Sequence, residues 1–182
     1  MVLKERRIVI AASGLLIALM AAHAGAADAA ANGVPDPLKA PAGQVLTLST
    51  RGTGVQIYAC TPDKDDPTRF SWTLKAPEAT LRDKSGKPLG KHYGGPTWEA
   101  TDGSKVVGEV VAKTDAPDAA IPWLLLRTKS TSGTGVFGAI ASIQRLRTSG
   151  GQAPATGCDK AGAGKETRVA YSADYLFYAA HP

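Results

Sequence analysis

The chain has 182 residues, 43% of them hydrophobic, with 21 lysines and arginines against 16 acidic residues. A chain of this size supports one domain that buries about 68–70% of its unfolded surface, so a core needs neither a metal nor a dense disulfide framework. The net charge of +5 is scattered over isolated lysines such as Lys84, Lys87, Lys91, Lys105 and Lys113, and no basic stripe interleaved with aromatics marks a nucleic-acid partner.

Lys4, Arg6 and Arg7 run into an apolar segment, Ile8 to Ala22, and Ala22-His23-Ala24 fits a small-x-small cleavage pattern, with Ala26 as an alternative site. Residues 1–24 are expected to be a cleaved export signal, because an apolar run of about 15 residues is shorter than the roughly 20 that span a bilayer. Cleavage leaves 158 residues with 18 basic and 15 acidic side chains, a mild +3. The expected location is periplasmic or secreted, with no integral membrane segment after cleavage. In that oxidising compartment Cys60 and Cys158 are expected to form one disulfide; there is no CxxC and no zinc-like spacing.

Residues 25–43, rich in alanine and proline, read as an extended leader with little structure of its own, and 44–182 as one domain. Gln44–Thr50 and Val55–Cys60 are β-branched and apolar runs around Arg51-Gly52-Thr53-Gly54, the pattern of a hairpin. Phe70, Trp72 and Leu74 alternate with polar residues, which predicts a strand with Trp72 in the core. From Leu81 to Lys113 a meander is expected, turning at Lys84-Ser85-Gly86-Lys87 and at Asp102-Gly103. Lys105–Lys113 reads as a strand with Val106 and Val110 opposite in facing to Val107 and Val111. Ile121-Pro122-Trp123-Leu124-Leu125-Leu126 is continuous enough for a strand covered on both faces. Val136–Thr148 fits either period, and its glycine-rich flanks and β-branched residues favour a strand. Ser149–Lys165 is a long loop carrying Cys158, and Thr167–Tyr171 and Tyr175–Tyr178 read as two closing strands around Ser172-Ala173-Asp174. About ten short strands without an amphipathic helix predict an all-β, single-domain antiparallel sandwich or barrel.

Gly133-Thr134-Gly135-Val136-Phe137-Gly138 formally matches a dinucleotide-binding GxGxxG. It lacks the strand-to-helix context that the motif needs, so it reads as a glycine-rich turn and no cofactor is expected. The densest chemistry lies in His92-Tyr93-Gly94-Gly95-Pro96-Thr97-Trp98-Glu99 followed by Asp102. His92, Tyr93, Trp98, Glu99 and Asp102 are the candidate ligand-binding residues. His92 with Glu99 or Asp102 is the candidate acid–base or metal-binding set, although no complete metal site can be specified. Strand parity cannot be carried across Gly94-Gly95-Pro96, so whether His92 and Glu99 share a face stays open. Asp102 also has a structural reading in the Asp-Gly turn, His92 as a buried histidine and Glu99 as a partner of lysine. No GxSxG elbow and no cysteine nucleophile is present.

Several stretches together are similar to one family. They are His92-Tyr93-x-Gly95-Pro96-Thr97-Trp98-Glu99, Asp102-Gly103-Ser104, Ile121-Pro122-Trp123-Leu124-Leu125, Ile143-Gln144-Arg145, Gly150-Gly151, Gly157-Cys158-Asp159 and Tyr171-Ser172-Ala173-Asp174-Tyr175-x-Phe177-Tyr178. From about Val45 to Tyr178 the chain resembles the domain-of-unknown-function family 3455 (DUF3455). The resemblance implies a secreted protein of no established activity, with no catalytic residues to transfer. A malate dehydrogenase label on some fungal members finds no dinucleotide-binding architecture here. The expected function is a ligand-binding or envelope-associated module whose partner is a small molecule or an envelope component. The alternatives are a hydrolase or metal-dependent enzyme using His92 with Glu99 or Asp102, and a purely structural envelope protein.

Overall fold

The computed structural model of the protein describes residues 33–181. The expected signal, residues 1–24, and the start of the leader lie outside the described residues. Eight strands follow: β1 (Gln44–Pro62), β2 (Phe70–Arg82), β3 (Pro88–Tyr93), β4 (Thr97–Ala100), β5 (Lys105–Thr114), β6 (Trp123–Ser132), β7 (Ile140–Gly150) and β8 (Glu166–Ala180). Each pairs antiparallel with the next, and β8 returns to β1, so the sheet closes into an up-and-down barrel. The all-β expectation holds, and of the two architectures it is the barrel.

The count is eight and not ten because two expected breaks are absent. Arg51-Gly52-Thr53-Gly54 is no hairpin but the middle of β1, paired with β2 on one side and β8 on the other. Its glycines serve close approach: a Cβ on Gly52 would lie 2.6 Å from the Tyr175 ring. Ser172-Ala173-Asp174 likewise continues β8, with Ala173 inside and Ser172 and Asp174 turned outward to Arg51. The two meander turns form as expected. Asp83 accepts from Ser85 N–H at 2.8 Å in the first, and Ala100 closes on Ser104 in the second.

Alternation along the strands fills the interior with Leu81, Trp98, Val106, Leu126, Ile143, Tyr175 and Phe177. Charged residues such as Arg51, Glu78, Lys91, Glu109, Arg127 and Arg168 stand on the outer face, the reverse of a lipid-facing barrel. No helix among the described residues is long and apolar enough to cross a membrane. Phe137, from the turn between β6 and β7, packs into the interior against Phe177 with ring centroids 4.8 Å apart. The GxGxxG stretch is therefore the connection that delivers this ring. Bulges interrupt β5 after Val107 and again around Val111, so simple alternation fails there and both Val110 and Val111 are exposed.

Two outer attachments extend the barrel. The leader's last part is not merely extended: Asp36–Leu38 makes a 3-10 turn that packs on β5 and β6, Leu38 is fully buried, and Leu38 O accepts from Gln144 Nε2 at 2.6 Å. This turn lies where Leu125 faces outward, which explains why that run is apolar at successive positions. On another side the Cys60–Cys158 disulfide forms, with Cα atoms 5.3 Å apart, and ties the long loop after β7 to β1. A closed loop of 98 residues stabilises by up to about 4.7 kcal/mol in the chain-entropy model. Trp72, expected in the core, is only half-buried and donates from Nε1 to Thr156 O of this loop at 2.9 Å.

Leu38→Ala should cost about 2–5 kcal/mol of unfolding free energy in urea titration. A loss below about 0.5 kcal/mol would place Leu38 outside the cooperative fold.

Candidate functional site

The β3–β4 hairpin is the unit from which the site is built. Gly95 adopts φ +96°, open to glycine without strain, and Thr97 Oγ1 donates to Gly94 O at 3.0 Å to fix the turn. The register then sets His92 opposite Trp98 and Lys91 opposite Glu99. Adjacent residues of a strand point to opposite faces, so His92 and Trp98 go inward while Lys91 and Glu99 go outward. The question left open across Gly94-Gly95-Pro96 is thereby answered: His92 and Glu99 do not share a face.

Inside, the His92 and Trp98 rings stack at 4.4 Å with planes 13° apart, and Tyr175 closes on both at 5.1 and 5.5 Å. The carbonyl of Thr97 can only accept, so His92 Nδ1 carries the proton and donates to it at 2.8 Å. Burial drives the imidazole pKa down to about 3 despite that bond. His92 is neutral at physiological pH.

Outside, Tyr93 donates its hydroxyl to Glu99 Oε2 at 2.7 Å, and Lys91 and Lys105 flank the same carboxylate at 3.5 and 3.4 Å. The Tyr93 bond, helped by the two lysines, holds the Glu99 carboxyl below its usual range. Asp102 lies at a third place. It accepts from Ser104 N–H at 2.8 Å, Ser104 Oγ at 2.6 Å and Val136 N–H at 2.9 Å, while Ser104 Oγ accepts from Phe137 N–H. Asp102 is a clamp that holds the Phe137 turn. Of the five candidates, the structure brings His92 and Trp98 together on the inner face and Tyr93 and Glu99 together on the outer one, with Asp102 apart from both. The acid–base set of His92 with Glu99 or Asp102 is not assembled, and among the described residues no three His, Cys, Asp or Glu side chains converge as a metal site.

What His92 and Trp98 do line is a cavity of about 280 Å³. Its origin is a mismatch of strand lengths. β3 reaches only to Ala79 on β2, and β4 only to Val107 on β5, with Gly108 N–H bonding Pro96 O as the last link. Among the described residues, 70–78 of β2 and 109–114 of β5 therefore pair on one side only. At about 4.8 Å per strand these edges flank a gap on the order of 14 Å across. The cavity opens there, with Leu74, Ala76 and Pro77 on one jamb, Val110 on the other and Gly94-Gly95-Pro96 as the sill. Pro77, without an N–H, suits an edge that stays unpaired. Leu74 and Val110 are about half exposed, so the rim is apolar. The floor adds Gln56, Leu124, Leu126, Arg145 and Tyr175.

Arg145 had no functional reading in the sequence, yet it is directly paired with Tyr175 across β7 and β8. The available signal was parity: if Ile143 faces inward, so does Arg145, and a charge on a buried strand face calls for an explanation.

The fold and site define a small antiparallel barrel with a side-opening interior pocket. The chain belongs to the family described as Protein of unknown function (DUF3455), whose model matches residues 41–179. Neither the search of curated proteins nor that of solved structures returned a match.

The neutral state of His92 makes stability depend on pH. The unfolded chain takes up a proton near pH 6.5 that the folded chain refuses until about 3, so this contribution is complete above 6.5 and is lost as pH falls. Its ceiling is on the order of 5 kcal/mol, with a slope of up to about 1.4 kcal/mol per pH unit. Denaturation midpoints of wild type and His92→Phe between pH 7 and 4 check it: the variant should lack this one-proton slope, and parallel curves would place the imidazole in contact with water.

Proposed function

We propose that this protein is a binding module that admits a small, largely apolar molecule through the gap between β2 and β5 into the barrel interior. The observation that carries the reading is the 280 Å³ cavity walled by Trp98, Tyr175, Leu124 and Leu126 and entered past the shortened β3–β4 hairpin. Its volume is just under the roughly 300–1,000 Å³ of typical ligand pockets, so the occupant is small. Aromatic walls with a few polar groups are the usual make-up of such sites. The ligand surface expected from His92 and Trp98 is kept in this reading. Tyr93, Glu99 and Asp102 are assigned to the outer face and the clamp.

Export belongs to the same proposal. The signal-like first 24 residues and the single disulfide suit a module working in the periplasm or outside the cell. A rigid barrel with a neutral histidine and no assembled acid–base pair is better suited to holding a molecule than to transforming it.

Tryptophan fluorescence titration with a panel of small aromatic and short-chain aliphatic compounds tests the reading. Ala76→Trp, placed at the rim of the gap, should weaken every ligand found by about tenfold or more while leaving the thermal midpoint within a few degrees. Undiminished binding in that variant would move the site elsewhere.

A further inference from the structure

We infer that the pocket's occupant carries an anionic acceptor group, a carboxylate on an apolar body, and that Arg145 is the residue that receives it. This rests on the reading of the pocket as a small-molecule site.

The argument is one of unmatched charge. Arg82 donates to Gly86 O in the solvent-exposed turn after β2, while four other outer arginines have carboxylate partners: Arg51 and Arg147 on Asp174, Arg127 on Glu109, Arg168 on Glu78. Arg145, turned into the barrel, has none among the described residues. Its Nε and Nη2 donate to Pro122 O at 3.1 and 2.8 Å, which occupies two of the five N–H donors of a guanidinium. The ionisable groups that act on it are the phenols of Tyr175, Tyr171 and Tyr58, and the Tyr175 oxygen also accepts a side-chain hydrogen bond from it. All three phenols are pushed up by burial and stay uncharged, so none supplies a counter-charge. A buried or half-buried cation without a partner costs several kcal/mol of desolvation that only an opposite charge or strong acceptors recover.

The rest of the lining has the same bias. None of the fifteen lining residues is Asp or Glu. Lys75 at the rim adds positive charge, although Glu166 engages it. Gln56, 1% exposed, has no acceptor for its Nε2, and the indole N–H of Trp98, also 1% exposed, has none either. His92 adds no charge, its one proton being held by Thr97 O. The pocket lining thus has an unmatched positive charge and two orphaned donors, while its acceptors, such as the unprotonated Nε2 of His92, carry no charge. A ligand that fits supplies acceptors and negative charge at the Arg145 end and carbon along Leu124, Leu126 and Val110. A sugar would leave the apolar wall unused, and inorganic phosphate would leave it empty. A planar carboxylate matches the guanidinium fork.

The test compares acids with their own amides on the purified full-length protein by isothermal titration at pH 7: phenylacetate against phenylacetamide and octanoate against octanamide, with inorganic phosphate as a third arm. Wild type should prefer the acids by about tenfold or more, which is about 1.4 kcal/mol, and bind phosphate far more weakly. Arg145→Met should abolish the acid preference, and Arg145→Lys, which keeps the charge without the fork, should restore part of it. Equal binding of acid and amide to wild type, or a preference that persists in Arg145→Met, overturns the inference and leaves the binding-module reading standing. Phosphate binding as tight as the acids overturns the apolar body. Absence of binding by every compound overturns the binding-module reading and the inference with it. If Arg145→Met does not fold, the acid and amide affinities of wild type decide alone.

Discussion

A sheet closed on itself has a single interior, and every large side chain that turns inward competes for it. Here the contest is settled in favour of rings: Trp98, Tyr175, Phe137 and Phe177 form one contact chain, with His92 stacked at its end. Space for them comes from residues without bulk at the facing positions. Gly52 lies beneath Tyr175, a Cβ on Gly108 would lie 3.1 Å from the Trp98 ring, and the fully buried Ala173 adds little bulk on β8. This large-against-small alternation lets an eight-stranded barrel hold these rings and still retain a cavity. The cavity lies at the His92 end because the Phe137 turn, clamped by Asp102 and Ser104, fills the interior around Phe177.

Charge follows the same division. On the outer wall acids and bases meet in ion pairs, and in the cluster of Tyr93, Glu99, Lys91 and Lys105 a single carboxylate is shared by two lysines and a phenol. Such exposed pairs contribute little to stability, about 0–1 kcal/mol each, and they explain why a concentrated run of chemistry in the sequence need not be a site. Inside, a single guanidinium stands among phenols and a neutral imidazole. One charge in a low-dielectric wall shapes the electrostatics of the cavity more than several at the surface.

Much of the fold was legible because it rests on local rules. The Asp-Gly and Ser-Gly turns, the strand around Val106 and the disulfide all follow from turn chemistry, alternation and the presence of two lone cysteines. What misled was punctuation. Gly52 and Gly54 look like a turn, and Ser172-Ala173-Asp174 looks like a polar break, yet both lie inside long strands where tertiary packing, not chain reversal, requires small residues. The candidate site was half legible for a related reason. His92, Tyr93, Trp98 and Glu99 are neighbours in sequence, and only the register across Gly95 divides them into an inner pair and an outer pair. Arg145 and Tyr175 come from strands about 50 and 80 residues further on and meet His92 only through closure of the barrel.

A barrel that gives up ladder bonds along 70–78 and 109–114 leaves two strand edges that neighbours must support if the gap is to persist. Each edge has an outer support. β2 is held in its unpaired half by Trp72, bonded to Thr156 of the disulfide-tied loop, and by Lys75 on Glu166. β5 is backed by the turn at Asp36–Leu38, whose Leu38 is fully buried and whose carbonyl is fixed by Gln144. These supports reach the edges from outside the barrel and from segments distant in sequence, and neither crosses the gap. Were they present only to stabilise, a longer β3–β4 hairpin would serve better, since it would restore paired backbone groups on both edges at once. Two separate attachments flanking an opening, together with the proline at its edge and the glycines at its sill, are the arrangement expected of a gap that is maintained, and they tie the leader and the disulfide to the same pocket that His92 and Arg145 line.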